Sequence, residues 1–60
     1  MNLERIGALA EARMLAEILL ELPTTDNFAN YRRAVITVSR VFDCSFEEAT
    51  HMIRNTVDKF

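Results

Sequence analysis

Apolar side chains recur along this 60-residue chain at steps of three and four, the spacing that places them on one face of an α-helix. Three such stretches are separated by short polar links, and they predict helices at about 3–22, 27–42 and 46–58. No internal repeat or low-complexity tract interrupts them. We therefore expect an all-α fold, a small three-helix bundle with a long first helix, formed by residues 1–60 as a single domain.

Capping and helix-breaking residues support these boundaries. Asn2 is positioned to cap the first helix, and Pro23 ends it because the residue before a proline is pushed out of the helical conformation. Residues 24–26 supply the N-cap of the second helix. Ser45, with Glu48 three residues later, forms a capping box that predicts the start of the third helix.

The second segment admits a competing interpretation. Its apolar positions define one helical face, which comprises Phe28, Tyr31, Val35, Val38 and Phe42. Residues 34–42 are also rich in β-branched side chains and could form a strand. A lone strand would have nothing to pair with except its copy in a dimer, so we favour the helix. The third segment repeats in the same helical manner, at Phe46, Ala49, Ile53, Val57 and Phe60.

The first helix differs because it is apolar on more than one side. Its apolar positions form three stripes, namely Leu3, Gly7, Met14 and Ile18; Ala8, Ala12, Leu15, Leu19 and Leu22; and Ile6, Leu9, Ala16 and Leu20. A helix on the surface of a monomer normally has one apolar stripe and one polar face. Since two other helices can cover two stripes, we expect the third to meet another chain in a two-fold dimer. The predicted partner interface is Ile6, Leu9, Arg13, Ala16 and Leu20.

The small size of the chain also favours self-association. Burial of apolar surface contributes on the order of 90 kcal/mol, and ordering the chain costs about the same. Cys44 is the only cysteine, so no disulfide can form within one chain. Its thiol fits a reducing compartment, and the chain lacks the paired Cys or His spacing of a metal site. We therefore expect no metal and no cofactor, and we expect packing or dimerisation to supply the remaining stability.

Charge and composition exclude several function classes. The net charge of −2 gives no general attraction to nucleic acid or to an anionic membrane. No apolar run resembles a secretory signal or a membrane span, so we expect a cytoplasmic protein that does not act at a membrane. Cys44 and His51 could suggest a thiol nucleophile and its base, but no third group orients His51. We therefore expect no catalytic residues, no small-molecule substrate and no enzymatic activity.

One stretch resembles in part the helix-turn-helix motif. Residues 38–49 place a small residue, Ser39, where the two helices of that motif approach each other, and Ser45 caps the second helix. Ala49 and Met52 occupy positions where apolar residues dock that helix. The resemblance implies a DNA-binding regulator whose second helix enters the major groove.

The charges near this stretch weigh against DNA. Glu47 and Glu48 stand at the leading end of the would-be recognition helix, where they would meet phosphates, and Asp43 occupies the turn position usually held by glycine. The basic residues lie on the second helix instead. These residues, Arg32, Arg33 and Arg40, could contact phosphates, pair with Glu residues of an acidic partner, or simply remain solvated.

These observations favour a non-enzymatic protein–protein interaction module. We expect a homodimer, or a small regulatory or inhibitory adaptor that binds a larger protein. The alternative is a small helix-turn-helix DNA-binding regulator that dimerises through its first helix.

Overall fold

The computed structural model describes residues 3–57 of the chain. Within this range three α-helices pack against one another: α1 (Leu3–Glu21), α2 (Thr25–Phe42) and α3 (Phe46–Val57). The predicted all-α three-helix fold is therefore confirmed. Residues 34–42 are helical, and no strand occurs in the described part of the chain. The predicted cap at Asn2, the predicted helix end at Asp58 and the apolar position Phe60 lie outside the described residues.

The link between α1 and α2 is held by Thr24 and Asn27. The Thr24 side chain accepts a hydrogen bond from the Asn27 backbone N–H at 3.1 Å, as an N-cap residue does. The Asn27 side chain, through Nδ2, donates to the Leu22 carbonyl at 2.8 Å and ties the link to the end of α1. Because Thr24 is the cap, α2 begins at Thr25, two residues earlier than predicted.

The link between α2 and α3 is a tight left-handed turn. Asp43 has φ 54° and ψ 51°, and its N–H donates to the Arg40 carbonyl at 3.3 Å. The Cys44 N–H donates to the Ser39 carbonyl at 2.9 Å, which completes a Schellman-type helix end. Asp43 therefore adopts the conformation that glycine usually supplies at this position.

The capping box at the start of α3 forms as predicted. The Glu48 backbone N–H donates to Ser45 Oγ at 3.0 Å, and the Ser45 N–H donates to Glu48 Oε1 at 3.1 Å. Two backbone donors that the first turn of a helix leaves unpaired are thereby satisfied. This reciprocal pair fixes where α3 begins, immediately after the turn at Asp43.

The core between the three helices is built from small and medium side chains. Its fully or nearly fully buried members are Ala12, Ala34, Val35, Val38, Ala49 and Ile53. In the described part of α1, Ala12 alone belongs to this set. Its small side chain lets α2 and α3 approach the α1 backbone closely. Partly buried side chains surround this core, namely Ala8, Leu9, Leu15, Ala16, Tyr31, Phe42, Cys44 and Met52.

A cation–π contact joins the beginning of α1 to the end of α2. The guanidinium carbon of Arg5 lies 5.4 Å from the centre of the half-buried Phe42 ring. Such a contact at a solvent-accessible site is worth about 0.5–1 kcal/mol. It helps to hold the N-terminal half of α1 against the bundle, with the opposite side of the helix facing solvent.

The left-handed turn leads to a stability prediction. Asp43→Gly should raise the free energy of unfolding by about 0.5–1 kcal/mol, because it removes both the strain of a left-handed L-residue and a negative charge at the end of α2. Asp43→Asn is the matched control, since it removes the charge but keeps a side chain. It should give a smaller gain. Urea denaturation followed by circular dichroism measures both changes, and a loss of stability in Asp43→Gly would contradict this account.

Candidate interaction surfaces

The residues of the predicted partner interface do not share one environment. Ile6 and Leu20 are exposed, with 48% and 75% of their surface accessible. Leu9 and Ala16 are half-buried and pack against the core, and Arg13 is also half-buried. Some residues of the predicted partner interface therefore support the core, whereas others are exposed to solvent.

The continuous apolar surface of α1 lies on the side of the helix opposite Ala12. We call it the outer stripe, and it comprises Leu3, Gly7, Ala10, Met14 and Ile18. Leu3, Met14 and Ile18 are 80%, 54% and 39% exposed. The stripe is about 22 Å long at ~1.5 Å per residue. Four of these residues form one of the apolar stripes predicted from the sequence, whereas the predicted partner interface belongs to another stripe.

Gly7 makes a depression in the outer stripe. A Cβ atom built on Gly7 would meet no other atom within 4 Å, so the bundle itself does not require a glycine there. Glycine in the interior of a helix destabilises it by about 0.5–1 kcal/mol relative to alanine. With exposed Ala10 on the next turn, Gly7 leaves the α1 backbone open to close approach from outside.

The three arginines of α2 lie in different surroundings. Arg32 lines a groove between α2 and α3, whereas Arg33 lines a groove between α1 and α2 together with Glu11. Arg40 is exposed near the end of α2 and lines neither groove. They therefore form a dispersed basic face around the exposed Ile36 rather than one pocket.

A groove between α2 and α3 is lined by three of the four aromatic side chains of residues 3–57. We call it the aromatic groove; its volume is about 400 Å³, and its lining residues are Phe28, Tyr31, Arg32, Phe46, Thr50 and Arg54. Phe28 and Phe46 are 56% and 48% exposed, although the sequence pattern placed both on core-facing stripes. The groove was not predicted from the sequence. The signal that could have found it is the Phe46, Thr50 and Arg54 series, at steps of four along α3.

The α2–turn–α3 unit has the tight connection that a helix-turn-helix needs. At its leading end, however, α3 carries Glu47 and Glu48, both exposed. Glu48 also accepts the hydrogen bond of the capping box, so its carboxylate is fixed at the N-terminus of the helix. These carboxylates make the start of α3 unfavourable for a DNA phosphate.

The structure places Cys44 and His51 in different surroundings. Cys44 is half-buried against the core, and His51 is exposed on α3. Partial burial raises the pKa of the Cys44 thiol above its ordinary value, and the nearby carboxylates of Glu48 and Asp43 raise it further. The thiol is therefore mainly protonated near neutral pH, which is the unreactive form.

Within residues 3–57 no three His, Cys, Asp or Glu side chains lie close enough together to hold a metal ion. None of the three described helices combines the length and the apolar character needed to cross a membrane. Comparison of the chain with protein-family models, with curated proteins and with solved structures finds no match. Any proposal about its function therefore depends on its own residues and surfaces.

Proposed function

We propose that this protein is a non-enzymatic protein–protein interaction module that forms a homodimer through the outer stripe of α1. The observation that carries the proposal is the exposure of a continuous apolar stripe on the side of α1 turned away from its own core. In a surface helix that side is normally polar. Exposed apolar patches of this kind mark interaction sites more often than single exposed residues do.

The outer stripe is complementary to itself when two copies run antiparallel. One register places Met14 of each copy opposite Gly7 of the other, so a long flexible side chain fills the depression at the glycine. The same register places Leu3 opposite Ile18. A two-fold axis between residues 10 and 11 relates the two halves, and two-fold dimers are the commonest oligomers. In a parallel pair Gly7 would face Gly7 and leave a gap.

Charges on α1 act in both directions in the antiparallel arrangement. Glu17 and Glu21 lie near the C-terminal end of the stripe, and in an antiparallel pair they approach the N-terminus of α1 in the second copy, where the helix dipole is positive. Glu4 lies in that first turn, at the level of Glu17 of the other copy, and its like charge reduces this attraction. Glu11 opposes association, because the two copies of this carboxylate approach each other beside the two-fold axis. The apolar contacts must outweigh that repulsion, which is screened by salt.

The exposed apolar side chains of the described residues are concentrated on α1. Five of the nine large apolar side chains that are exposed belong to this helix, namely Leu3, Ile6, Met14, Ile18 and Leu20. Pairing of two α1 helices would remove Leu3, Met14 and Ile18 from water.

A second candidate function is a small DNA-binding regulator dimerised through α1. The left-handed turn at Asp43 and the capping box at Ser45 favour it, since both fit the α2–turn–α3 geometry of a helix-turn-helix. Glu47 and Glu48 at the start of α3 disfavour it, and we therefore rank it second.

The dimer is tested by sedimentation across a concentration series. Met14→Glu should weaken association at least ~10-fold, equivalent to about 1.4 kcal/mol, because it places a carboxylate opposite Gly7. Leu20→Glu is the matched control on the same helix, since Leu20 is 75% exposed and lies outside the stripe. It should leave the dimer intact. If Leu20→Glu dissociates the dimer and Met14→Glu does not, the chains pair through the partner interface predicted from the sequence instead of the outer stripe. A wild-type chain that remains monomeric would refute the dimer.

Gly7→Ala distinguishes the effect of residue 7 on dimerisation from its effect on the stability of the monomer. In the monomer the new methyl group meets nothing, so it should stabilise α1 by about 0.5–1 kcal/mol. In the dimer it fills the depression that receives Met14 and should weaken association. A tighter dimer in Gly7→Ala would contradict the proposed register.

The second candidate has its own measurement. A regulator should bind duplex DNA with an affinity that falls steeply as salt rises, and Arg33→Glu should weaken that binding. Titration of the protein into a labelled DNA duplex at low salt measures this binding. Absence of binding there would remove the DNA-binding alternative.

A further inference from the structure

We propose that the aromatic groove between α2 and α3 is a docking site for an acidic peptide segment of another protein that carries an apolar anchor side chain. This site is separate from the outer stripe of α1, since no residue of α1 lines it. A result that refutes the homodimer would therefore leave this docking site unaffected.

The first support is the exposure of the two phenylalanines. Phe28 lies in the first turn of α2 and Phe46 is the first residue of α3, and about half of each side chain remains accessible. They line the same groove with the half-buried Tyr31 ring between the helices. Three aromatic rings in a groove of about 400 Å³ form an apolar site within the size range of ligand pockets, about 300–1,000 Å³.

The second support is the charge of the lining. Two of the six lining residues, Arg32 and Arg54, are arginines, and none is acidic. Both are exposed, and each of the two helices that form the groove contributes one of them. Arginine pairs with carboxylates through two parallel hydrogen bonds. The combination of aromatic and arginine side chains is typical of the residues that dominate binding at protein interfaces.

The arrangement favours an acidic peptide over a nucleic acid. Bases can stack on aromatic rings, but a nucleic acid brings a continuous run of phosphates. Such a run would pass the exposed Glu47, which follows Phe46 at the start of α3. A peptide can place its carboxylates at Arg32 and Arg54 and an uncharged residue near Glu47. The net charge of −2 likewise gives no general attraction to a polyanion.

The experiment uses the full chain and a random 12-residue peptide display library, followed by titration of synthetic selected peptides into ¹⁵N-labelled protein. We expect the selected peptides to share a Leu, Phe or Trp flanked by Asp or Glu. Their binding should shift the amide signals of residues 28–32 and 46–54. No enrichment, enrichment of basic peptides, or shifts confined to other residues would overturn the proposal.

Arg32→Glu and Arg33→Glu form a matched pair, because these neighbours carry the same charge but line different grooves. Arg32→Glu should weaken peptide binding at least tenfold, whereas Arg33→Glu should change it less than twofold. Equal loss in both variants would mean that net charge alone attracts the peptide, which contradicts a built site. Circular dichroism of each variant verifies that the helices persist.

Phe28→Ser and Ile36→Ser form a second pair on α2, since both side chains are exposed but Ile36 lies outside the groove. Phe28→Ser should weaken peptide binding at least tenfold, and Ile36→Ser should not. If the solution mass of the Phe28→Ser variant is instead lower than that of the wild-type protein, the groove is an interface between copies of this chain. If a single-stranded oligonucleotide displaces the peptide and binds more tightly, the groove is a nucleic-acid site. Either result would overturn the peptide proposal.

Discussion

The close packing of three helices around small side chains determines what this protein can present to its surroundings. Ala12 and Ala49 are fully buried, and the largest fully buried side chains are Ile53, Val35 and Val38. Met14 lies on the side of α1 turned away from this core, and Phe46 remains 48% exposed at the start of α3. The exposed apolar surface therefore depends on which side of each helix packs inward.

Two exposed apolar surfaces result, and they differ in chemistry. The outer stripe of α1 is aliphatic, contains the depression at Gly7 and continues into the carboxylates of Glu17 and Glu21. The aromatic groove contains Phe28 and Phe46 and is flanked by arginines. An aliphatic stripe with a glycine suits a close approach of helices, whereas aromatic rings with guanidinium groups suit recognition of a separate acidic segment.

The local structure could be predicted from the sequence where one short motif determines it. Ser45 and Glu48 define the start of α3 through contacts only three residues apart, and the structure contains both hydrogen bonds. The start of α2 was less certain, because several neighbouring polar residues could have acted as its cap. The orientation of α1 could not be deduced, since it has apolar residues on several sides and the deciding buried residue is the small Ala12. The aromatic groove depends on the positions of two helices, which no local pattern specifies.

The opposite charges of the two surfaces have a consequence for assembly. An acidic apolar helix is the kind of ligand proposed for the aromatic groove, so α1 of one copy could dock into the groove of another. Such a contact joins two different surfaces, and repeated contacts of this type lead to open chains or rings. The antiparallel pairing proposed for α1 would prevent it, because each outer stripe would be covered by the other. The proposed dimer therefore limits assembly to two copies and leaves both aromatic grooves accessible to a different partner.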